Sequence, residues 1–416
     1  MLVHWIWLAT RPNLPDRLKI AALELFHDPE ALYYGQPEGY GRIEGISEEG
    51  QTALRDKDLS AAEKVVEQCM KKNIHICTFY DAAYPRRLKN IPDPPVVLYY
   101  KGTLPEIDAN PVIGVVGTRH ASAYGIGIAK RMGYQIAKCG GMLVSGIASG
   151  IDGVAMQGAL TAGGCVIGVL GNGADVVYPP SNRALFADLE QRGCLLTEFP
   201  PGTPPLRWNF PKRNRVISAL SNGVLVVEAP KISGALITAR QAAEQGRDVF
   251  VVPGNVDVPT CVGSNALLRE GAIAVSCGND ILSEYESMYP GKIRRYTVPG
   301  KMAGYEDEAL APEKEEAMLK VAQKTEIPKK KSIFGKKTHK IPVDKEASSS
   351  YSDGKETKDL TQDEQALLRH LSRQPRLLDD VIAELALPAG KVLSVLTMLQ
   401  IKGMVEQLPG KYVRLK

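Results

Sequence analysis

Nothing in this 416-residue chain is arranged for metal or thiol chemistry. Its seven cysteines form no CxxC pair and have no histidine cluster beside them. That argues against a structural zinc site and predicts a reducing, cytoplasmic setting. Long hydrophobic runs are missing too. The opening MLVHWIWLATRP is apolar but too short to span a bilayer, and it lacks a basic n-region and cleavage site, so it predicts the start of a folded domain and no membrane partner. No GxxxxGK[ST] loop is present, which argues against ATP use through a P-loop. The Gly125-Ile126-Gly127 stretch lacks the third glycine of a dinucleotide fingerprint. Histidine is scarce: between 101 and 289 only His120 occurs, beside Arg119, a neighbour that does not help it act as a base. Asp152 and Glu228 read as a helix-start residue and a strand-end anchor. This thin inventory predicts a binding protein rather than an enzyme, without cofactor or metal. Charge is nearly balanced, 51 basic against 47 acidic residues for a net +4, so any affinity for a polyanion must come from a local patch.

What is present divides into four parts. Residues 1–100 show helical spacing in LPDRLKIAALELF, SEEGQTALRDK and LSAAEKVVEQCMKKN, with Asp16, Ser47 and Ser60 as candidate caps. Ile43-Glu44-Gly45-Ile46 suits a helix-hairpin-helix or SAM-like turn, which either touches DNA backbone or only packs. IHICTFYD reads as a strand, and IPDPPVVLYYKG as an extended, proline-stiffened bridge. Residues 101–289 alternate buried-strand runs (VIGVVG, GMLVSG, CVIGVLG, CLLTEF, GVLVVEA, DVFVVPG) with glycine-closed helices. Repeated β-α units of this kind predict an α/β, Rossmann-like, doubly wound, mostly parallel sheet. Residues 290–359 are polar and aperiodic, with a lysine run, and read as a flexible linker. Residues 360–416 predict three helices and a β-hairpin turning at Pro409-Gly410, the winged-helix pattern, opened by a Thr361/Glu364 capping box. Its third helix offers only Lys391 and Lys402 as cations, so protein contact is as good a reading as DNA contact.

In parallel sheets, ligands sit beyond the carboxyl ends of the strands. Those positions carry Gly117, Thr118 and Arg119 after the first strand, Ser145 and Gly146 after the second, Ser233 and Gly234 at a later helix start, and Asn255 after the last strand. Small residues bring amides close to an anion, and Arg119 suits bidentate phosphate pairing. The stretch FPKRNRVISALSN adds Lys212, Arg213, Asn214 and Arg215 just behind Trp208 and Phe210. Cations interleaved with planar side chains suit a polyanion whose bases stack; the plainer reading is a solvated basic loop before a strand.

These residues also carry a resemblance. GTRHASAYG, SGIASGIDGVAMQGAL, GNGADVVYPPSN, FPKRNRVISALSNGVLVVEAPKISGALITARQAAEQGRDVFVVPG and VGSNALLREGA, in this order, resemble the DNA-processing protein A (DprA/Smf) family across the central domain, and the flanking pieces look like its terminal domains. The resemblance implies a homodimer that binds single-stranded DNA and helps load the RecA recombinase during natural transformation. It places the DNA pocket at Arg119 and at Lys212, Arg213 and Arg215. The chain departs from the family pattern at Met156, where histidine is common, and at Thr118 and Ala235, where serines are frequent. Two rivals share parts of this pattern. A nucleotide phosphoribohydrolase of the lysine-decarboxylase-like fold would need PGGxGTxxE where this chain has SGALITARQAAE. A winged-helix transcription regulator would prefer a palindromic duplex.

Overall fold

The computed structural model describes residues 2–297 and, with gaps, 361–415. They belong to two compact units, Met1–Ile327 and Pro328–Lys416.

The first unit is organised by nine strands: β1 (His75–Thr78), β2 (Val97–Gly102), β3 (Val112–Val116), β4 (Met142–Ser145), β5 (Val166–Val169), β6 (Cys194–Thr197), β7 (Gly223–Val226), β8 (Asp248–Val251) and β9 (Ile273–Ala274). Their order is β1-β2-β6-β5-β4-β3-β7-β8-β9. From β6 to β9 every pairing is parallel, while β1–β2 and β2–β6 are antiparallel. The α/β doubly wound reading therefore holds, with an antiparallel extension at one edge. The expected bridge into the second domain is strand β2, paired with β6 from Tyr99↔Thr197 to Gly102↔Cys194. The sheet thus begins at His75, inside the segment assigned to the helical domain. Its proline-rich lead-in, Pro92 to Pro95, hides a strand whose partner lies nearly a hundred residues away.

Apolar β-branched side chains on both faces bury the central strands completely, as parallel sheets require. Helices Ala123–Lys138, Ile151–Thr161 and Arg183–Arg192 cover one face; Asn209–Leu220 and Gly234–Glu244 cover the other. From β3 the chain winds outward through β4, β5 and β6, then returns by helix Asn209–Leu220 to place β7 on the opposite side of β3. That reversal opens a crevice at the carboxyl ends of β3 and its neighbours.

The N-terminal helices Leu2–Ala9, Asp16–Phe26, Pro29–Tyr34, Glu48–Arg55 and Ser60–Lys71 share a core with the sheet's first face, through Trp7, Leu23, Leu32, Leu54 and Cys69. Ser47 caps its helix by accepting the Gly50 amide at 3.1 Å. Asp16 and Ser60 are first helical residues rather than caps. The chain stays packed through Thr297, past the expected linker start at 290: the Arg294 amide donates to the Cys139 carbonyl at 2.9 Å, and Ile293 and Tyr296 pack on the core. The remainder of that linker lies outside the described residues.

The second unit contains helices Gln362–Arg369 and Leu378–Leu385, further helical residues between 392 and 400, and three short strands, β10 (Arg376–Leu377), β11 (Val405–Leu408) and β12 (Tyr412–Leu415), in the order β10-β12-β11. Glu364 accepts the Thr361 amide at 2.8 Å and donates its own amide to the Thr361 hydroxyl at 3.3 Å, the expected capping box. A helical set with a hairpin joined by a strand from between the helices is a winged-helix arrangement. The turn at Pro409-Gly410 lies outside the described residues. Lys402, one of the two cations on the third helix, is held by Glu364 at 2.8 and 2.9 Å.

Candidate nucleic-acid interface

Backbone geometry builds the site first. β3 ends in Gly117, where a Cβ would fall 2.5 Å from Ile151 Cγ1, so only glycine lets the strand end press against the next helix. Gly150, at φ +78°, would bring a Cβ 2.4 Å from the Thr118 carbonyl oxygen. The Asp152 carboxylate ties the ends of β3 and β4 together, accepting the Gly117 amide at 3.3 Å and the Gly146 amide at 3.2 Å. Burial pushes the Asp152 carboxyl up, against the pull of Arg213 and these two amides. Between β4 and its helix, Ile147 adopts φ 54°, uncommon for a β-branched residue, and Asn182 secures the turn by donating to the Ile147 and Ala148 carbonyls at 2.9 and 3.1 Å.

A cleft of about 810 Å³ opens above these turns. Gly117, Thr118 and Arg119 line one side, Phe210, Arg213 and Asn214 another, and Ser233 with Gly234 the start of helix Gly234–Glu244. Ser233 caps that helix by accepting the Ala235 amide at 3.2 Å, and the Gly234 position is open to solvent. Helix starts present free N–H groups and a partial positive charge to an anion.

The planar element is Phe210. The Arg119 and Arg213 guanidinium carbons each lie 5.7 Å from its ring centre, and the Tyr178 ring lies 5.6 Å away at 39°. The two arginines have different standing. Arg213 is buried, and donates to the Gly146 carbonyl at 2.9 Å and to that of Val169; burial pushes its guanidinium down to about 10, partly offset by Asp152. It fixes the floor. Arg119 is exposed and has no ion pair among the described residues, so its charge is available to a ligand.

The Lys212–Arg215 run, three cations around Asn214, does not form one patch. FPKRNR opens helix Asn209–Leu220, so Phe210, Arg213 and Asn214 share the cleft face while Lys212 and Arg215 turn away from it. Lys212 Nζ lies 3.2 Å from Asp16 and 2.9 Å from Glu198; Arg215 Nη2 lies 3.2 and 2.7 Å from the same carboxylates. The expectation that both belong to the DNA pocket is corrected on this geometry. Ser145 is also buried, its hydroxyl donating to the Val115 carbonyl at 2.5 Å, and Gly146 lines a small recess of about 40 Å³ together with Arg119, Tyr178, Phe210 and Arg213. Trp208 is 70 % exposed next to the cleft-lining Arg207, and Asn255 is exposed but outside the lining. Arg207, Ile232 and Ile237 line the cleft and were not singled out from sequence. Arg207 abuts the aromatic Trp208, a signal the sequence did contain.

A crevice at the switch point of a doubly wound sheet, with an exposed arginine beside an aromatic pair, marks the ligand-binding position of a doubly wound α/β protein. Comparison with known proteins narrows this. Residues 75–286 match the family model described as DNA recombination-mediator protein A, and residues 353–411 match the DprA winged helix domain. Protein Smf of Synechocystis sp. is 32 % identical over 98 % of this chain and 97 % of its own length. DNA processing protein DprA of Bacillus subtilis is 40 % identical over 60 % of this chain and 86 % of its own. The X-ray structure of DNA processing protein A from Streptococcus pneumoniae superposes with a TM-score of 0.61 at 32 % identity, covering 68 % of this chain and 98 % of that one. The chain belongs to the DprA/Smf family.

Proposed function

We propose that this chain binds single-stranded DNA in the cleft beyond β3 and β7 and delivers the strand to a recombinase of the RecA kind, as a non-enzymatic homodimer. The observation that carries the reading is Arg119, an exposed cation without an ion pair among the described residues, set beside the Phe210 ring. Phosphates meet Arg119, Arg207 and the positive end of helix Gly234–Glu244 at the exposed Gly234. Bases meet Phe210 and Tyr178, and a ring face accepts any base, so the reading predicts little sequence preference. A duplex keeps its bases stacked inside and cannot offer them to Phe210. Delivery to a recombinase draws support from the matched family's description as a recombination mediator; self-association and a role in DNA uptake draw on the resemblance. The hydrolase rival loses support because Asp152, the buried acid nearest the cleft, has both oxygens engaged by backbone amides.

The test is fluorescence anisotropy with labelled oligo-dT and with a duplex of the same length over a salt series. With Lys212 and Arg215 committed elsewhere, about two to three phosphates are neutralised, giving a log–log slope of roughly −1.4 to −2 on single strands. Equal binding of strand and duplex would overturn the proposal.

A further inference from the structure

The helix that brings Phe210 and Arg213 to the cleft is gripped from behind by the N-terminal helices. Asp16, the first residue of helix Asp16–Phe26, joins Glu198 in binding Lys212 and Arg215, and also binds Lys19 Nζ at 2.9 Å. Asp93 approaches Arg215 Nε at 3.8 Å. The side chains of Asp16, Glu198 and Arg215 are only 6, 4 and 10 % exposed, so this joint is shielded from solvent. The three carboxylates are matched by three cations.

A second tie reaches the facing wall. Lys72, at the end of helix Ser60–Lys71, places Nζ 2.6 Å from Asp175 Oδ2, and Asp175 Oδ1 accepts the Gly202 amide at 2.8 Å. Asp175 lies in the loop that carries Tyr178 to its place beside Phe210. The N-terminal helices therefore hold both partners of the aromatic pair, one through the back of the Phe210 helix and one through the Tyr178 loop.

We infer that the N-terminal helices position the cleft: Asp16 and Lys72 set the placement of Phe210, Arg213 and Tyr178 without touching the ligand, and Lys212 and Arg215 serve this joint instead of DNA phosphates. Only the binding arm of the test rests on the single-strand reading. In the full chain without DNA, hydrogen exchange of residues 209–220 should speed up in Asp16→Asn, and that of 171–178 in Lys72→Gln. Unchanged exchange in both segments overturns the inference. Lys212→Gln stands in if Asp16→Asn does not fold, because Arg215 still reaches both carboxylates. In the binding arm, Lys212→Gln and Lys72→Gln should weaken oligo-dT binding several-fold at the parental salt slope, whereas Arg119→Gln should flatten the slope by about 0.7. A slope change of that size in Lys212→Gln makes Lys212 a phosphate contact and overturns the inference, as do parental affinities in both joint variants. A parent that fails to bind oligo-dT sinks the proposed function alone, since the exchange arm still decides the positioning role.

Discussion

Arg215→Met is the sharpest stability test, because sequence and structure assign this residue different roles. As a DNA contact on a solvated face, its loss would leave stability nearly untouched. In the structure its guanidinium lies 2.7 Å from Glu198 and 3.2 Å from Asp16, with both carboxylates buried. Methionine keeps much of the apolar stem but leaves these carboxylates to Lys212 and Lys19. Removing one partner of a buried charge set costs about 3–5 kcal/mol. Lys212→Gln removes a 44 % exposed cation while Arg215 still bonds both acids, so it should cost about 1 kcal/mol or less. The chain's three tryptophans, Trp5, Trp7 and Trp208, all lie in the first unit, so their fluorescence in a urea titration follows that unit alone. At a slope near 3 kcal/mol/M, the Arg215→Met midpoint should fall by about 1 M or more. Adding Glu198→Gln should recover part of the loss by removing the stranded charge. A midpoint within about 0.3 M of the parent would refute the buried-joint account.

Other outcomes follow from the cleft. Phe210→Leu should weaken oligo-dT binding by about 1–3 kcal/mol, the worth of one stacked base, with the salt slope retained; anisotropy at two salt concentrations checks both. Gly150→Ala should destabilise the first unit by roughly 2–5 kcal/mol in the same urea assay, because the φ of +78° and the Thr118 carbonyl both oppose a Cβ. Arg213, pushed down only to about 10, keeps its proton, so oligo-dT binding should stay constant from pH 7.5 to 9. Oligo-dT titrations of the parent across that range would check it, and a drop in affinity below pH 9 would contradict a permanently charged Arg213.

The sheet was legible in the sequence because each parallel strand is buried on both faces and therefore appears as an unbroken apolar run between glycine turns. Gly117, Thr118, Arg119 and Ser233 were legible for the same reason: they stand at the ends of those runs. Three features were not. The Lys212–Arg215 run looks like one basic patch in a string of letters, yet helical geometry sends Lys212 and Arg215 to one face and Arg213 and Asn214 to the other. Pro211 near the helix start obscured that geometry. The acids that claim Lys212 and Arg215 are Asp16, nearly two hundred residues away, and Glu198, which sits in an apolar strand end. Strand β2 was masked by its prolines, and the two-residue β9 is too short to leave a pattern.

The most direct measurement is photocrosslinking of a 5-iodouracil-substituted single strand to the full chain, with the attachment sites mapped by mass spectrometry. The account predicts crosslinks in the peptides carrying Tyr178 and Phe210, lost when unlabelled oligo-dT competes and diminished in Arg119→Glu. Crosslinks confined to residues 361–415, with none in those two peptides, would contradict it and make the winged helix the DNA-binding unit.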